Sequence, residues 1–413
     1  MNYLEESDSE DELPPGWEER VTLDGNVYYA NHYKQATQWI HPRSGRKKIV
    51  SGDLPADWEK QISDDGKIIY INHTNNITTY TDPRLAFASE YMETSQPTRQ
   101  RFDGSSTAMS VLHGQDLRGK YALITGANSG IGFETARSLA LHGCTVILAC
   151  RDIKKAKDAI KKIKNENNTT ICEILECDLS SLNSVKNAAD NFKYRFKTLD
   201  ILILNAGVFY PPYTLTVDGY ELTYQVNYLS QFYLTLLLDH PLRNSDKPRI
   251  VIVSSESHRF SSITSVDDLQ QFKLSPTASN YWPMSAYNNS KHMNLLFCHE
   301  LSRRWQHITV LCCHPGNLVY SNIARYSWLL KLLFLIVKPF TKSLQQAAST
   351  SVYCATAQEL EGNSGLYFNN CHQCDPSNYA LDNLLSTKLW TISQEMILNI
   401  MKKDKYTNEL DFN

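Results

Sequence analysis

"KYALITGANSGIG", Lys120 to Gly132, decides the architecture of most of this chain. An apolar run from Tyr121 to Ile124 reads as a strand. Gly126, Gly130 and Gly132 follow in a TGxxxGxG spacing, and "GFETARSLALHG" after them has a helical pattern. A strand, a glycine turn and a helix N-terminus together make an anion site. Backbone N–H groups and the helix dipole face a pyrophosphate there, and the glycines permit its close approach. The backbone from Gly126 through Ala127, Asn128, Ser129, Gly130 and Ile131 to Gly132 is therefore the candidate cofactor cradle.

Outward from this turn, strand-like runs alternate with helical patterns, the signature of a doubly wound α/β sheet. The next strand, "CTVILACRD", ends at Cys150 and Arg151. An acidic residue at this place favours NAD, whereas an arginine can fork onto a 2′-phosphate. Arg151 points to NADP(H); Asp152 beside it argues the other way, and a surface arginine capping a helix is the plainer reading. Asp178 follows a third strand, and Asn205-Ala206-Gly207 closes "LDILILNAG". Then come Asn227, Ser254-Ser255 at the end of "RIVIVSS", Tyr287 and Lys291 in "YNNSK", and Pro315-Gly316 after "ITVLCCH". Tyr287 and Lys291 are four apart and share one face of a helix. An ammonium beside a phenol lowers its pKa and readies it to exchange a proton with a carbonyl or hydroxyl oxygen. A serine hydroxyl can hold that oxygen.

This ordered set resembles the short-chain dehydrogenase/reductase family over roughly 118–400, and within it the retinol-dehydrogenase-like branch, which shares "TGANSGIG" and "ACR". The resemblance implies a Rossmann-type parallel sheet and a tetrad of Asn227, Ser255, Tyr287 and Lys291. Ser255 would also hold the substrate. Lys291 would bind nicotinamide ribose and tune Tyr287, and Asn227 would anchor a water beside Lys291. The 126–132 turn, Arg151, Asp178 and Asn205 would bind the cofactor.

Ahead of this domain the chain repeats itself with an offset of 41 residues. Leu13, Pro14, Trp17, Tyr29, Asn31, His32, Thr37, Pro42 and Arg43 meet Leu54, Pro55, Trp58, Tyr70, Asn72, His73, Thr78, Pro83 and Arg84. Asp-Gly in each unit reads as a hairpin turn, giving three short antiparallel strands. Both units resemble the WW domain. That resemblance implies a concave face for proline-rich PPxY peptides. In the first unit Tyr28 and Trp39 would form the proline slot, and Ala30, His32 and Gln35 would line the tyrosine pocket. The second unit has Ile69 and Tyr80 at the slot positions. It keeps its folding residues and loses one ring, so its expected role is to support or orient the first, with weak binding of altered specificity as the other reading.

These readings divide the chain into an acidic tail (1–12), WW units at 13–46 and 54–87, a polar linker (88–115), the dehydrogenase domain (116–400) and a tail (401–413). A net charge of −3 argues against general affinity for nucleic acid. The acidic start lacks a signal peptide's apolar core. Ten scattered cysteines suit a reducing compartment. The CxxC at Cys371–Cys374 has no second pair at zinc spacing, so no metal is expected. The basic run at 43–48 reads as a solvated linker, with an import signal as the alternative.

"WLLKLLFLIVKPF" (328–340) is too short to span a bilayer. Ordinary core, a membrane-surface contact and a lid over an apolar, steroid- or retinoid-like carbonyl or alcohol are its three readings. The whole chain resembles oxidoreductases with tandem WW modules. That likeness implies PPxY-bearing partners, including transcription regulators, links to apoptosis and growth control, and cytoplasmic residence with nuclear, mitochondrial or Golgi association. A directed oxidoreductase and an adaptor whose dehydrogenase fold mainly senses cofactor both fit.

Overall fold

The computed structural model describes residues 13–22, 25–42, 47–50, 54–55, 57–63, 68–87, 89–91, 101–316 and 342–403. The chain forms two compact units that divide between Arg99 and Gln100.

The first unit holds two three-stranded antiparallel sheets, β1 (Trp17–Val21), β2 (Val27–Asn31) and β3 (Ala36–Gln38), then β5 (Trp58–Ile62), β6 (Ile68–Asn72) and β7 (Ile77–Thr79). Alternation along β2 sorts its side chains. Val27, Tyr29 and Asn31 are buried, and Tyr28 and Ala30 face outward. Buried asparagine at both repeats has a local cause. Asn31 Oδ1 accepts from the Tyr33 and Lys34 amides at 3.0 and 2.9 Å, and Asn72 Oδ1 does the same for Thr74 and Asn75. β4 (Lys47–Ile49), between the repeats, pairs with β8 (Ser89–Tyr91), just past the second, in a two-stranded ribbon that no sequence pattern announced. Val50, just past β4, joins the core of the first repeat, and its amide donates to Gly25 O at 2.8 Å.

The second unit is built on an eight-stranded sheet. Its strands are β9 (Tyr121–Thr125), β10 (Thr145–Cys150), β11 (Cys172–Glu176), β12 (Ile201–Leu204), β13 (Arg249–Val253), β14 (Thr309–His314), β15 (Leu366–Asn369) and β16 (His372–Cys374). The spatial order is 11-10-9-12-13-14-15-16, parallel except for the final hairpin strand β16. Each inner strand serves two cores. Leu123, Ile147, Leu202 and Ile250 pack on one face. Ala122, Ile124, Val146 and Ile203 pack on the other. Burial on both sides explains the near-continuous apolar runs.

Helices α1 (Gly130–Leu141), α2 (Ile153–Glu166), α3 (Leu182–Arg195), α4 (Ser230–Leu237), α5 (Pro283–Arg304), α6 (Leu344–Thr356) and α7 (Asn383–Lys403) cover the faces. The buried Arg249 guanidinium donates to the Cys354 and Ala357 carbonyls at 2.9 and 2.7 Å. It thereby satisfies the C-terminal end of α6.

The stretch 88–115, read as a linker, carries structure at both ends. Ser89–Tyr91 is β8, and Ala108, Val111 and Leu112 of a short helical turn are fully buried in the second unit's core. Their i, i+3, i+4 spacing sits among polar residues that masked it. The 328–340 segment, Arg43 and Arg46 of the basic run and both terminal tails at 1–12 and 404–413 lie outside the described residues. Among the described residues no helix is long and apolar enough to cross a membrane.

Candidate active site and peptide groove

The strand order reverses between β9 and β12, and a cleft of ≈ 340 Å³ opens there at the strands' carboxyl ends. The glycine turn forms its floor. Gly130 has φ +61°, a left-handed conformation that suits glycine. At Gly132 a Cβ would lie 2.4 Å from Asn205 Nδ2 and 2.5 Å from Gly126 O, so only a hydrogen fits. Asn205 is held in turn by donating to Thr125 O at 3.0 Å, and its amide donates to Thr125 Oγ1 at 3.0 Å. Ser129 precedes α1 without a side-chain cap, which leaves the helix's first amides directed at the cleft. This bare cradle fits a dinucleotide pyrophosphate.

At the adenosine end Arg151 and Asp178 line the same cleft, with Arg151 Nη1 4.0 Å from Asp178 Oδ1. Arg151 is 65% exposed along its side chain. Asp152 caps α2 through the Lys155 amide at 3.0 Å and pairs with Lys155 Nζ at 3.1 Å. Lys155 also lines the cleft, and sequence reasoning missed it. Its signal was the i, i+4 spacing from Arg151 across a helix start.

At the other end Tyr287 and Lys291, both from α5, reach the cleft. Lys291 Nζ donates to Val253 O at 2.9 Å and sits 5.7 Å from the Tyr287 ring centroid. The expected lowering of the Tyr287 pKa by Lys291 is not found. Burial pushes the phenol up to about 12, against a hydrogen bond from Ser255 that lowers it. Burial likewise depresses the Lys291 amine to about 8. Desolvation outweighs the ammonium's field here because both groups are enclosed.

The two serines separate clearly. Ser254 Oγ is used in donating to Lys291 O at 2.8 Å, whereas Ser255 engages Tyr287. Asn227 lies in a π-helical turn, Gln225–Leu229, of the kind that often marks function. Its side chain clamps Val208 through both backbone groups, at 2.7 and 3.0 Å, and also donates to Ser290 Oγ at 3.0 Å. It is thus tied to the loop after β12, and both it and Lys291 come close to Gly207. A Cβ at Gly207 would fall 3.5 Å from Asn227 and 3.6 Å from Lys291.

On the first repeat, Tyr28 and Trp39 face each other with centroids 6.0 Å apart at 65°. Trp39 is 53% exposed. Ala30 is on the same face of β2 as Tyr28, His32 hydrogen-bonds Glu18 at 2.8 Å, and Gln35 is exposed at a left-handed turn, φ +47°.

The WW domain profile matches residues 13–42 and 54–83, and the short chain dehydrogenase profile matches 120–266. A WW domain-containing oxidoreductase of Gallus gallus is 55% identical over 397 residues, covering 95% of this chain and 96% of its own. Retinol dehydrogenase 12 of Homo sapiens is 41% identical over 283 residues, 68% of this chain and 87% of its own. A crystal structure of an uncharacterized protein from Mycobacterium Paratuberculosis matches with TM-score 0.54 and 31% identity, covering 68% of this chain and 95% of that one.

Proposed function

The chain belongs to the WW domain-containing oxidoreductase family, two WW domains ahead of a short-chain dehydrogenase domain, and from that footing we propose an NADP(H)-dependent carbonyl/alcohol oxidoreductase delivered to PPxY-bearing proteins by its first WW domain. The carrying observation is the convergence of Tyr287, Lys291 and the Gly126–Gly132 cradle on one cleft.

Held by the Gly126–Gly132 cradle and Lys291, a nicotinamide dinucleotide would supply or take the hydride. Tyr287 Oη passes a proton to or from the substrate oxygen, and Ser255 Oγ holds that oxygen by a hydrogen bond. Lys291, fixed by the Val253 carbonyl, keeps a positive charge near the phenol and would hold the ribose hydroxyls of the cofactor. Asn227 positions the Gly207–Val208 backbone that walls the cleft. Arg151, with Lys155 beside it, favours a 2′-phosphate and hence NADP(H). The substrate is an apolar, steroid- or retinoid-like molecule, a choice supported by the likeness to retinol dehydrogenase 12. The partners include transcription regulators, with roles in apoptosis and growth control, and the protein works in the cytoplasm with nuclear, mitochondrial or Golgi association.

A second reading, an adaptor whose dehydrogenase unit chiefly binds or senses cofactor, draws on one contrast. The Tyr28–Trp39 slot is open, whereas Tyr287 is buried with its pKa at about 12.

A turnover screen of retinoids, steroids and small carbonyls with NADPH separates the two. Turnover that Tyr287→Phe removes supports the enzyme. Tight NADPH binding with no turnover supports the adaptor. Calorimetry should give tighter NADPH than NADH binding, with the gap closing in Arg151→Ala.

A further inference from the structure

Directly behind the cleft, Glu256, His258 and Arg259 of the 3-10 turn Glu256–Phe260, His292 of α5, His314 of β14 and Tyr367 of β15 come together. His258, His292 and His314 are each 1% exposed, and Tyr367 is 2% exposed. The Tyr367 ring packs edge-on to His258 at 5.3 Å and stacks on His314 at 5.6 Å.

Hydrogen-bond chemistry fixes the proton on two of these rings. His258 Nδ1 lies 2.8 Å from Ser255 O. A carbonyl only accepts, so Nδ1 carries the hydrogen. His258 Nε2 takes the Ser377 amide at 3.0 Å. An amide only donates, so Nε2 is bare and the ring is neutral. His314 has the opposite tautomer. Its Nδ1 accepts from the Gly316 amide at 3.2 Å, which leaves the hydrogen on Nε2, 3.3 Å from Glu256 Oε2. One ring therefore holds the peptide of Ser255, the serine that meets Tyr287. The other holds the amide of Gly316, next to Pro315, which lines the cleft.

We propose that His258 and His314 are positioning residues that work only as neutral rings, setting the Ser255 peptide and the Pro315–Gly316 backbone at the reacting end of the cleft. A proton added to His258 Nε2 or His314 Nδ1 would confront a backbone N–H with another N–H and push that segment away. The surroundings favour neutrality. Burial lowers the pKa of both, His314 to about 4, outweighing Glu256. Burial also raises the Glu256 carboxyl, but Arg259 and the histidines more than offset this. Arg259 disfavours a charge on both rings and Lys342 on His314, burial holds His292 itself down to about 4, and Tyr367 and Cys374 complete the groups around the cluster.

This proposal rests on the oxidoreductase reading, and two kinds of measurement separate their failures. On the full chain, ring-nitrogen NMR at pH 7 should show Nδ1–H at His258 and Nε2–H at His314. A protonated ring or the reverse tautomers would overturn the proposal whether or not any carbonyl turns over. An absence of turnover in the native chain would instead overturn the oxidoreductase reading. With turnover in hand, His314→Leu should lower kcat about tenfold while the KM for NADPH changes less than about twofold. His314→Asn, whose Oδ1 can still accept from Gly316, should recover most of that loss. The native kcat should fall reversibly on acidification toward pH 4, before circular dichroism reports unfolding. An unchanged kcat per folded molecule in His314→Leu, with no rescue pattern, would reduce the cluster to plain packing.

Discussion

The two WW repeats solve one packing problem differently. In the first, Tyr29 meets the edge of the His41 ring at 5.1 Å, and the core under it is closed by residues from outside the repeat, Val50 and Leu85. In the second, Tyr70 donates to Asp82 at 2.7 Å, and Asp82 also accepts from the Arg84 guanidinium at 2.8 Å. That closure is polar and internal to its own C-terminal segment. On the outer face the order reverses. The first repeat presents Tyr28 and Trp39 as an aromatic pair, and the second offers Ile69 and Tyr80. So the repeat with the full aromatic pair leans on its neighbours, while the repeat with the reduced slot closes itself. A three-stranded sheet has too little core to be generous to both tasks.

The largest expected effect breaks the symmetry at the slot. Trp39→Ala should weaken binding of a PPxY peptide by about fiftyfold or more, because a half-exposed ring that grips proline contributes little else. Tyr80→Ala in the same full chain should leave that affinity within about twofold. Peptide titration monitored by calorimetry decides it; equal losses in both would place the groove elsewhere. The reverse experiment is gain of function. Ile69→Tyr with Tyr80→Trp should raise the second repeat's affinity about tenfold, measured with Trp39→Ala silencing the first. No gain would shift attention to Ile71, which pairs with Thr78 where Ala30 pairs with Thr37.

Inside the second repeat, Asp82→Asn should cost about 2 kcal/mol, since it weakens Tyr70 and strips charge from a buried Arg84 contact. The wild-type pair also has a pH signature. Burial alone would raise the Asp82 carboxyl, yet the Arg84 and Tyr70 hydrogen bonds leave it below the usual 3.8. A carboxyl lowered in the fold contributes stability above its unfolded pKa and loses it as pH falls through the folded one. Thermal melts of the second repeat should therefore drop below about pH 4 and lose that dependence in Asp82→Asn.

Much of this was legible from residues alone. The glycine turn, the parallel alternation and the 41-residue repeat follow from periodicity and from residues only certain backbones tolerate, while the Tyr28–Trp39 face came from the resemblance to WW domains. The β4–β8 ribbon was not legible, because three-residue strands have no period to read. The buried stretch around Ala108 was hidden by polar neighbours. At the site, one histidine of the pair directed at Ser255 and Gly316 lies on a turn and the other at a strand end, 56 residues apart by position. Nothing local marks either. The pKa of Tyr287 went the opposite way from expectation because spacing shows which charges are near but not how dry the site is.

The smallest expected effect is the sharpest test of the leaning arrangement. Leu85 belongs by sequence to the end of the second repeat, in the 3-10 turn Pro83–Phe87, yet it packs against Val27, Tyr29 and Val50 of the first repeat's core. It is half-buried, so Leu85→Ala should remove only about 1 kcal/mol. What matters is where the loss falls. If the first repeat is completed by its neighbour, its melting temperature drops and the second repeat's does not, although the substitution lies beyond Pro83. PPxY affinity should fall only in step with the fraction of first repeat folded, recovering at low temperature where that repeat is fully formed. The first repeat carries Trp17 as well as Trp39, so tryptophan fluorescence mixes signals, whereas backbone amide NMR of Tyr29 in β2 and of Tyr70 in β6 follows each repeat separately. A melting shift confined to the Tyr70 signals would return Leu85 to its own repeat, and the first would then stand without the second.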